Sequence, residues 1–225
     1  KLALQIKKEL KNQGRGARYV EIKNTASILH NQLVKKQGDL TVVNYRLFVT
    51  RAIQPIEEMS KFDFDRPGSD SRSGMLPPKL AKIMLNLAQI DNQSILLDPF
   101  CGSGTVLMQA ALLGLNNLTG SDISLKAIKD TEKNLNWLIE NPSQRLVRLG
   151  RKKLDYKLIA IDAAELDKTF QKNSIDAIVS EPYLGKPLHG NESDNILSKQ
   201  ADSLSELYLS AFTSLTPSRT RSLKS

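Results

Sequence analysis

The stretch Asp98-Pro99-Phe100-Cys101-Gly102-Ser103-Gly104-Thr105 constrains this 225-residue chain more than any other. An apolar run, Ile95 to Leu97, precedes it, and an apolar helical pattern, Thr105 to Leu113, follows. A second apolar run, Leu118 to Ser121, then ends at Asp122. Strand, glycine-rich turn, helix and an acid closing the next strand make the nucleotide-binding half of a doubly wound sheet. Gly102 and Gly104 are expected to supply positive φ or a close backbone approach, and Thr105 to open a helix whose first amides are free. An acid, Asp98, stands where a dinucleotide enzyme places its first glycine. It would repel a phosphate and accept hydrogen bonds from an ammonium group.

The peptide Ser180-Glu181-Pro182-Tyr183 closes another apolar run, Ile175 to Val179, where such sheets carry their reacting groups. The exocyclic amine of a base is a poor nucleophile because its lone pair is delocalised into the ring. A polar residue can accept from that amine, a proline can stiffen the loop and an aromatic ring can stack on the base. Ser180, Glu181, Pro182 and Tyr183 are therefore the expected catalytic peptide. Combined with a turn that accepts an ammonium-bearing nucleoside, they point to methyl transfer from S-adenosylmethionine, since NAD and ATP carry no such ammonium. Asp122 is the expected ribose ligand, because an ionised carboxylate is acceptor-only and can take both hydroxyl protons. Asp162, with Ala163 after it, ends a further apolar run and is placed for the adenine amino group. Cys101 reads as a small residue of the turn. Carbon methylation needs a covalent cysteine beside the acceptor, and none stands near residues 180 to 185.

One cysteine excludes an internal disulfide framework, and one cysteine with two distant histidines, His30 and His189, offers no metal site. The charge is uneven. Residues 1 to 66 hold 13 basic and 7 acidic side chains, whereas 67 to 225 hold 19 and 17, so the N-terminal part is the one expected to face a polyanion. A second cluster, Arg145, Arg148, Arg151, Lys152, Lys153 and Lys157, falls in an expected surface loop and reads as a solvated face. With no apolar run of membrane-spanning length and no signal-peptide pattern, the cytoplasm is the expected compartment.

Along the chain, residues 2 to 11 are expected to be helical. Arg18 to Ile22, Leu40 to Val43 and Tyr45 to Thr50 are β-rich, and residues 55 to 74 read as a connector with little periodicity. From Pro77 the order becomes alternating α and β. A helix opens at Pro78 with Leu80, Ile83, Met84, Leu87 and Ala88 as its stripe. Another is capped by Ser124, with Leu125, Ile128, Leu135, Leu138 and Ile139 as its stripe. Strands are expected at Ile95 to Leu97, Leu118 to Ser121, Leu158 to Ile161 and Ile175 to Val179, with Gly114 as a helix C-cap and a last helical pattern over 201 to 215.

Three segments carry a family resemblance: Arg72-Ser73-Gly74-Met75-Leu76-Pro77-Pro78-Lys79-Leu80-Ala81, the turn from Asp98 to Thr105, and Gly120-Ser121-Asp122-Ile123-Ser124. They resemble the THUMP-containing tRNA guanine-N2 methyltransferases and their bacterial relatives. The resemblance implies a seven-strand Rossmann-like α/β domain and S-adenosylmethionine as donor. It also implies tRNA or other structured RNA as substrate, held by an N-terminal module. On this reading residues 1 to 54 are a partial RNA-binding, THUMP-associated α+β region and 55 to 74 a connector. Residues 75 to 225 are then a catalytic domain lacking its last strands, and both ends of the chain are expected to be truncated. Pro77, Pro99, Phe100, Ser103, Ile123 and Ala163 join the acids and glycines as cofactor-facing residues. The family's acceptor motif is Asp-Pro-Pro-Tyr. Aligned on the tyrosine, Ser180 takes the acid's place and Glu181 the first proline's; aligned on the acid, Glu181 replaces Asp and one proline is missing. A DNA adenine or cytosine amino methyltransferase, or an RNA-binding protein that has lost transfer, are the alternatives.

Overall fold

A computed structural model describes residues 2–54, 56–68 and 74–216. It divides into two compact units, Lys1–Ile56 and Glu57–Ser225. The first contains helices α1 (Leu2–Asn12) and α2 (Thr25–His30) and a hairpin of β1 (Leu40–Val43) and β2 (Arg46–Val49). Asn44 and Tyr45 both have positive φ, as a two-residue hairpin turn of matching twist requires. Among its described residues the buried side chains are Leu33 and Asp39, and Thr50 Oγ1 donates to Asp39 Oδ2 at 2.7 Å. Arg18 to Ile22, expected to be extended, pairs with no strand. Thr25–His30 is helical because the Asn24 side chain accepts from Ser27 N at 3.0 Å, satisfying one free amide of the first turn.

The second unit holds all but the first residue of α3 (Ile56–Phe64), then α4 (Pro78–Leu87), β3 (Ile95–Asp98), α5 (Thr105–Leu113), β4 (Asn117–Asp122), α6 (Leu125–Glu140) and α7 (Gln144–Arg148). It ends with β5 (Tyr156–Ala160), a 3-10 helix over Ala163–Lys168, β6 (Ala177–Ile178) and α8 (Asp194–Leu215). The four strands are parallel in the order β5-β4-β3-β6. This is a Rossmann-like α/β sheet. The chain runs outward from β3 to β5 and returns to lay β6 on the other side of β3, so the strand order reverses between β3 and β6. β6 is short, yet its ladder extends on both sides through Asp176 N to Ile95 O and Val179 N to Leu97 O.

α5 is buried nearly all round, from Thr105 to Leu112, and α4 packs on it. The buried face of α4 is Pro78, Ala81 and Leu85, with Met84 partly covered, whereas Leu80, Ile83 and Leu87 of the expected stripe are exposed. Small side chains, Ala81 on α4 and Ala110 and Ala111 on α5, are completely buried and let the two helices approach. On α6, Leu135 and Leu138 are buried but Leu125, in the first turn, is exposed. The expected connector also contains a helix. Ile56, Met59 and Phe62 recur at helical spacing behind Glu57 and Glu58, and the buried Phe62 ring meets Trp137 edge-on at 6.3 Å. Within the basic cluster, α7 is capped by Ser143, and Arg151 donates to the Leu115 carbonyl at 2.6 Å and to Gly114 O and Asn116 Oδ1. Arg151 thus closes the C-terminus of α5, while its neighbours stay solvated. Among the described residues no helix is long and apolar enough to cross a membrane, and no cluster of His, Cys, Asp and Glu is placed to hold a metal.

Candidate active site

The carboxyl ends of the four parallel strands enclose a cleft of about 440 Å³, within the size range of small-molecule sites. Its position follows from the strand order, because the connections after β3 and β6 diverge there. The glycine-rich turn forms its floor. Gly102 and Gly104 have φ of +52° and +82°, values that glycine adopts without strain. Thr131 on α6 donates to the Gly102 carbonyl at 2.8 Å, and Asn134 Nδ2 reaches the Ser103 carbonyl at 2.7 Å, so α6 holds the turn from behind.

Pro99, Phe100, Cys101, Gly102, Ser103 and Thr105 all line the cleft, together with Ile123 and Ala163. Gly104 does not. A Cβ built there would lie 2.8 Å from Thr131 Cγ2, so this glycine permits close packing of the turn on α6. Pro77 is also away from the wall. It is the exposed residue preceding α4, and the wall on that side is Gly74, Met75 and Leu76.

Four acids from four strand ends converge on the cleft: Asp98, Asp122, Asp162 and Glu181. Both Asp122 oxygens take backbone amides, Gly102 N at 3.0 Å and Ser124 N at 2.9 Å. The carboxylate is therefore fixed in place, with lone pairs left over to face a ligand. Asp162 Oδ1 accepts from Ala164 N at 2.9 Å and starts the 3-10 helix. Ile123, 73% exposed, adds an apolar surface to the same cleft. Asp98 is 1% exposed, and burial pushes its carboxyl up to about 7 against the pull of the Ser180 and Phe100 hydrogen bonds. Burial and the Asp98 charge also push the Cys101 thiol up, which keeps it protonated and unreactive.

The peptide that follows β6 is divided between two places. Ser180 Oγ donates to Asp98 Oδ1 at 2.5 Å, and Ser180 is not on the cleft wall; Glu181, Pro182, Tyr183 and Leu184 are. Glu181 is the acid of this peptide that borders the cleft. The loop is held from α8, where Tyr208 OH donates to the Tyr183 carbonyl at 2.6 Å and Gln200 to the Lys186 carbonyl at 3.1 Å. Gly185 is needed at this seam, with φ +92° and a Cβ position 2.4 Å from Gln200 Nε2.

Residues 69–221 match the family described as RMKL-like, methyltransferase domain. The chain belongs to the RMKL-like methyltransferase domain family. It is 30% identical over 148 residues to a tRNA (guanine(10)-N2)-dimethyltransferase of Methanothermobacter thermautotrophicus, covering 64% of this chain and 38% of that protein. A protein of the same name from Methanocaldococcus jannaschii is 37% identical over 112 residues, 50% of this chain and 29% of that one. A ribosomal RNA large subunit methyltransferase K/L of Vibrio campbellii is 31% identical over 133 residues, 57% of this chain and 18% of that protein. The chain thus spans well under half the length of these curated relatives. Among solved structures, TrmN from Thermus thermophilus is similar with a TM-score of 0.44 and 22% identity, over 75% of this chain and 40% of that one.

Several residues of this RMKL-like domain that shape the cleft are silent as motifs. Asn134, completely buried, accepts from Gly68 N at 2.8 Å and donates to the Gly68 carbonyl at 2.7 Å, clamping the segment before the cleft wall onto α6. A Cβ on Gly68 would lie 2.6 Å from the Asp130 carbonyl, so only glycine fits there. The available signal was polarity in an apolar stripe. Thr131 and Asn134 fall between Ile128, Leu135 and Leu138 at helical spacing, and a polar group there must find partners. Tyr208 and Arg66 gave no comparable signal.

Proposed function

We propose that this domain binds S-adenosylmethionine and transfers its methyl group to the exocyclic amine of a base in RNA, guanine N2 of tRNA being the acceptor. The observation that carries this reading is that Asp122 and Glu181-Pro182-Tyr183 border one cleft. The residues fit such a cofactor. A fixed carboxylate with spare lone pairs suits ribose hydroxyls, an exposed isoleucine suits adenine, and a buried carboxyl held against ionisation gains from a cationic neighbour. S-adenosylmethionine, when bound, supplies an electrophilic methyl group on a sulfonium.

The chain's own residues do the rest. Asp122 takes the ribose hydroxyls and Asp162 the adenine amino group, while Asp98, steadied by Ser180, complements the positive charge. Glu181 accepts from the acceptor amine and orients it, Pro182 stiffens the loop, and Tyr183 stacks on the base. Residues 1 to 54, part of the segment with most of the net positive charge, are the part that contacts RNA. The tRNA substrate is supported by the names of the archaeal relatives.

Incubating the whole protein with labelled S-adenosylmethionine, bulk tRNA and duplex DNA tests the proposal. Label is expected in tRNA and absent from DNA, and Glu181→Ala is expected to lower turnover with little change in cofactor affinity. Label in DNA alone, or none with a cofactor-binding protein, overturns the RNA methyltransferase reading.

A further inference from the structure

Behind the Thr105 side of the cleft lies a buried cation with no role so far. Arg66 is 5% exposed. One terminal nitrogen donates to Thr105 Oγ1 at 2.5 Å, the other to Met75 Sδ at 3.0 Å, and Nε has no partner. Among the described residues no carboxylate lies within ion-pair distance of the guanidinium, although Asp63 on α3 is near enough for its charge to be felt. A thioether is a weak acceptor, and a buried, unpaired cation is costly. This is an unusual place to leave one.

Both residues that Arg66 touches, Thr105 and Met75, are on the cleft wall. Thr105 is also the first residue of the nine-residue α5, whose opening amides have no partners within the helix and whose dipole favours negative charge. Because Arg66 donates to Thr105 Oγ1, the hydroxyl's own hydrogen remains available for an acceptor in the cleft. Arg66 is also firmly placed: Gly68, two residues on, is clamped to Asn134 through both its amide and its carbonyl. The cleft therefore combines carboxylates at the strand ends with a cation-backed hydroxyl at the start of α5. A zwitterion fits such a wall better than a cation alone.

We infer that Arg66, acting through the Thr105 hydroxyl and the N-terminus of α5, is the positioning residue for the carboxylate of the cofactor's amino-acid end, and selects for ligands that carry it. This rests on the cofactor reading above. Among the described residues the guanidinium has no carboxylate within ion-pair distance, and the ligand's carboxylate supplies the compensating charge through Thr105.

The test compares S-adenosylhomocysteine with 5′-methylthioadenosine, which keeps the nucleoside and thioether but lacks the amino-acid end. Both are titrated into the wild-type protein, Arg66→Met, Arg66→Lys and Thr105→Ala. Arg66→Met is expected to weaken S-adenosylhomocysteine at least tenfold and methylthioadenosine less than twofold, with Arg66→Lys recovering part of the loss. Thr105→Ala, which leaves Arg66 in place, is expected to show the same ligand-dependent loss and serves if Arg66→Met does not fold. Equal weakening of both ligands would mean that Arg66 merely supports the cleft, and would overturn the inference while sparing the cofactor reading. Failure of wild-type protein to bind either ligand would overturn both.

Discussion

Replacing Asp98 with asparagine should make the protein more stable at alkaline pH while weakening its hold on cofactor. Burial, before any other cause, raises this carboxyl from 3.8 to about 7, with the Asp122 and Glu181 charges adding to it. The Ser180 hydroxyl and the Phe100 amide pull the other way. Between those two values the folded protein keeps a proton that the unfolded chain has lost. Stability from this group is therefore complete below about pH 4 and falls as the pH climbs toward about 7. At about 1.4 kcal/mol per pH unit, the full loss is about 4 kcal/mol. Asparagine occupies the same space, accepts from Ser180 and Phe100 through its carbonyl oxygen, and cannot ionise. Urea unfolding between about pH 5 and about pH 8 should thus show Asp98→Asn gaining on the wild type as pH rises. Cofactor affinity should move oppositely, because the ionised carboxylate is what complements a cationic ligand. Wild-type binding near about pH 6 should release a proton, detectable by calorimetry in buffers of different ionisation enthalpy, and the variant should not. A stability difference that stays constant across this range would refute the idea that folded Asp98 holds its proton.

Gly104→Ala should cost about 2 to 4 kcal/mol of stability, combining a left-handed backbone with overpacking against Thr131, as read from chemical unfolding. Asp122→Ala should lose about 1.5 to 3 kcal/mol of S-adenosylhomocysteine affinity by calorimetry, the range for hydrogen bonds to a charged group. Tyr183→Ala should lose ~1 to 3 kcal/mol of acceptor binding and Tyr183→Phe little of it. Neither disturbs the Tyr208 contact, which is made to the Tyr183 main-chain carbonyl.

The sheet and the glycine turn were legible because their signals are local. Apolar runs of strand length, positive-φ glycines, the Ser124 cap and the C-terminal Gly114 all act within a few residues. The unread parts depend on neighbours distant in sequence. The buried face of α4 is set by Ala81 against the alanines of α5, and bulkier residues on the adjoining face carried the stronger periodic signal. α3 was obscured by Pro67, Gly68 and the Ser- and Asp-rich segment after it, although Ile56, Met59 and Phe62 kept helical spacing. Ser180 could not be separated from Glu181 by sequence, since the choice turns on a hydrogen bond to a carboxyl 82 residues away. Arg66 was one basic residue among many until its burial beside Thr105 was visible.

A crystal structure of the protein with S-adenosylhomocysteine bound decides where the cofactor sits. The ribose hydroxyls are expected on the Asp122 carboxylate, adenine against Ile123 near Asp162, and the amino-acid carboxylate at Thr105, leaving the Glu181 and Tyr183 side open for a base. A ligand seated elsewhere, or one in this cleft with its ribose away from Asp122, would contradict it.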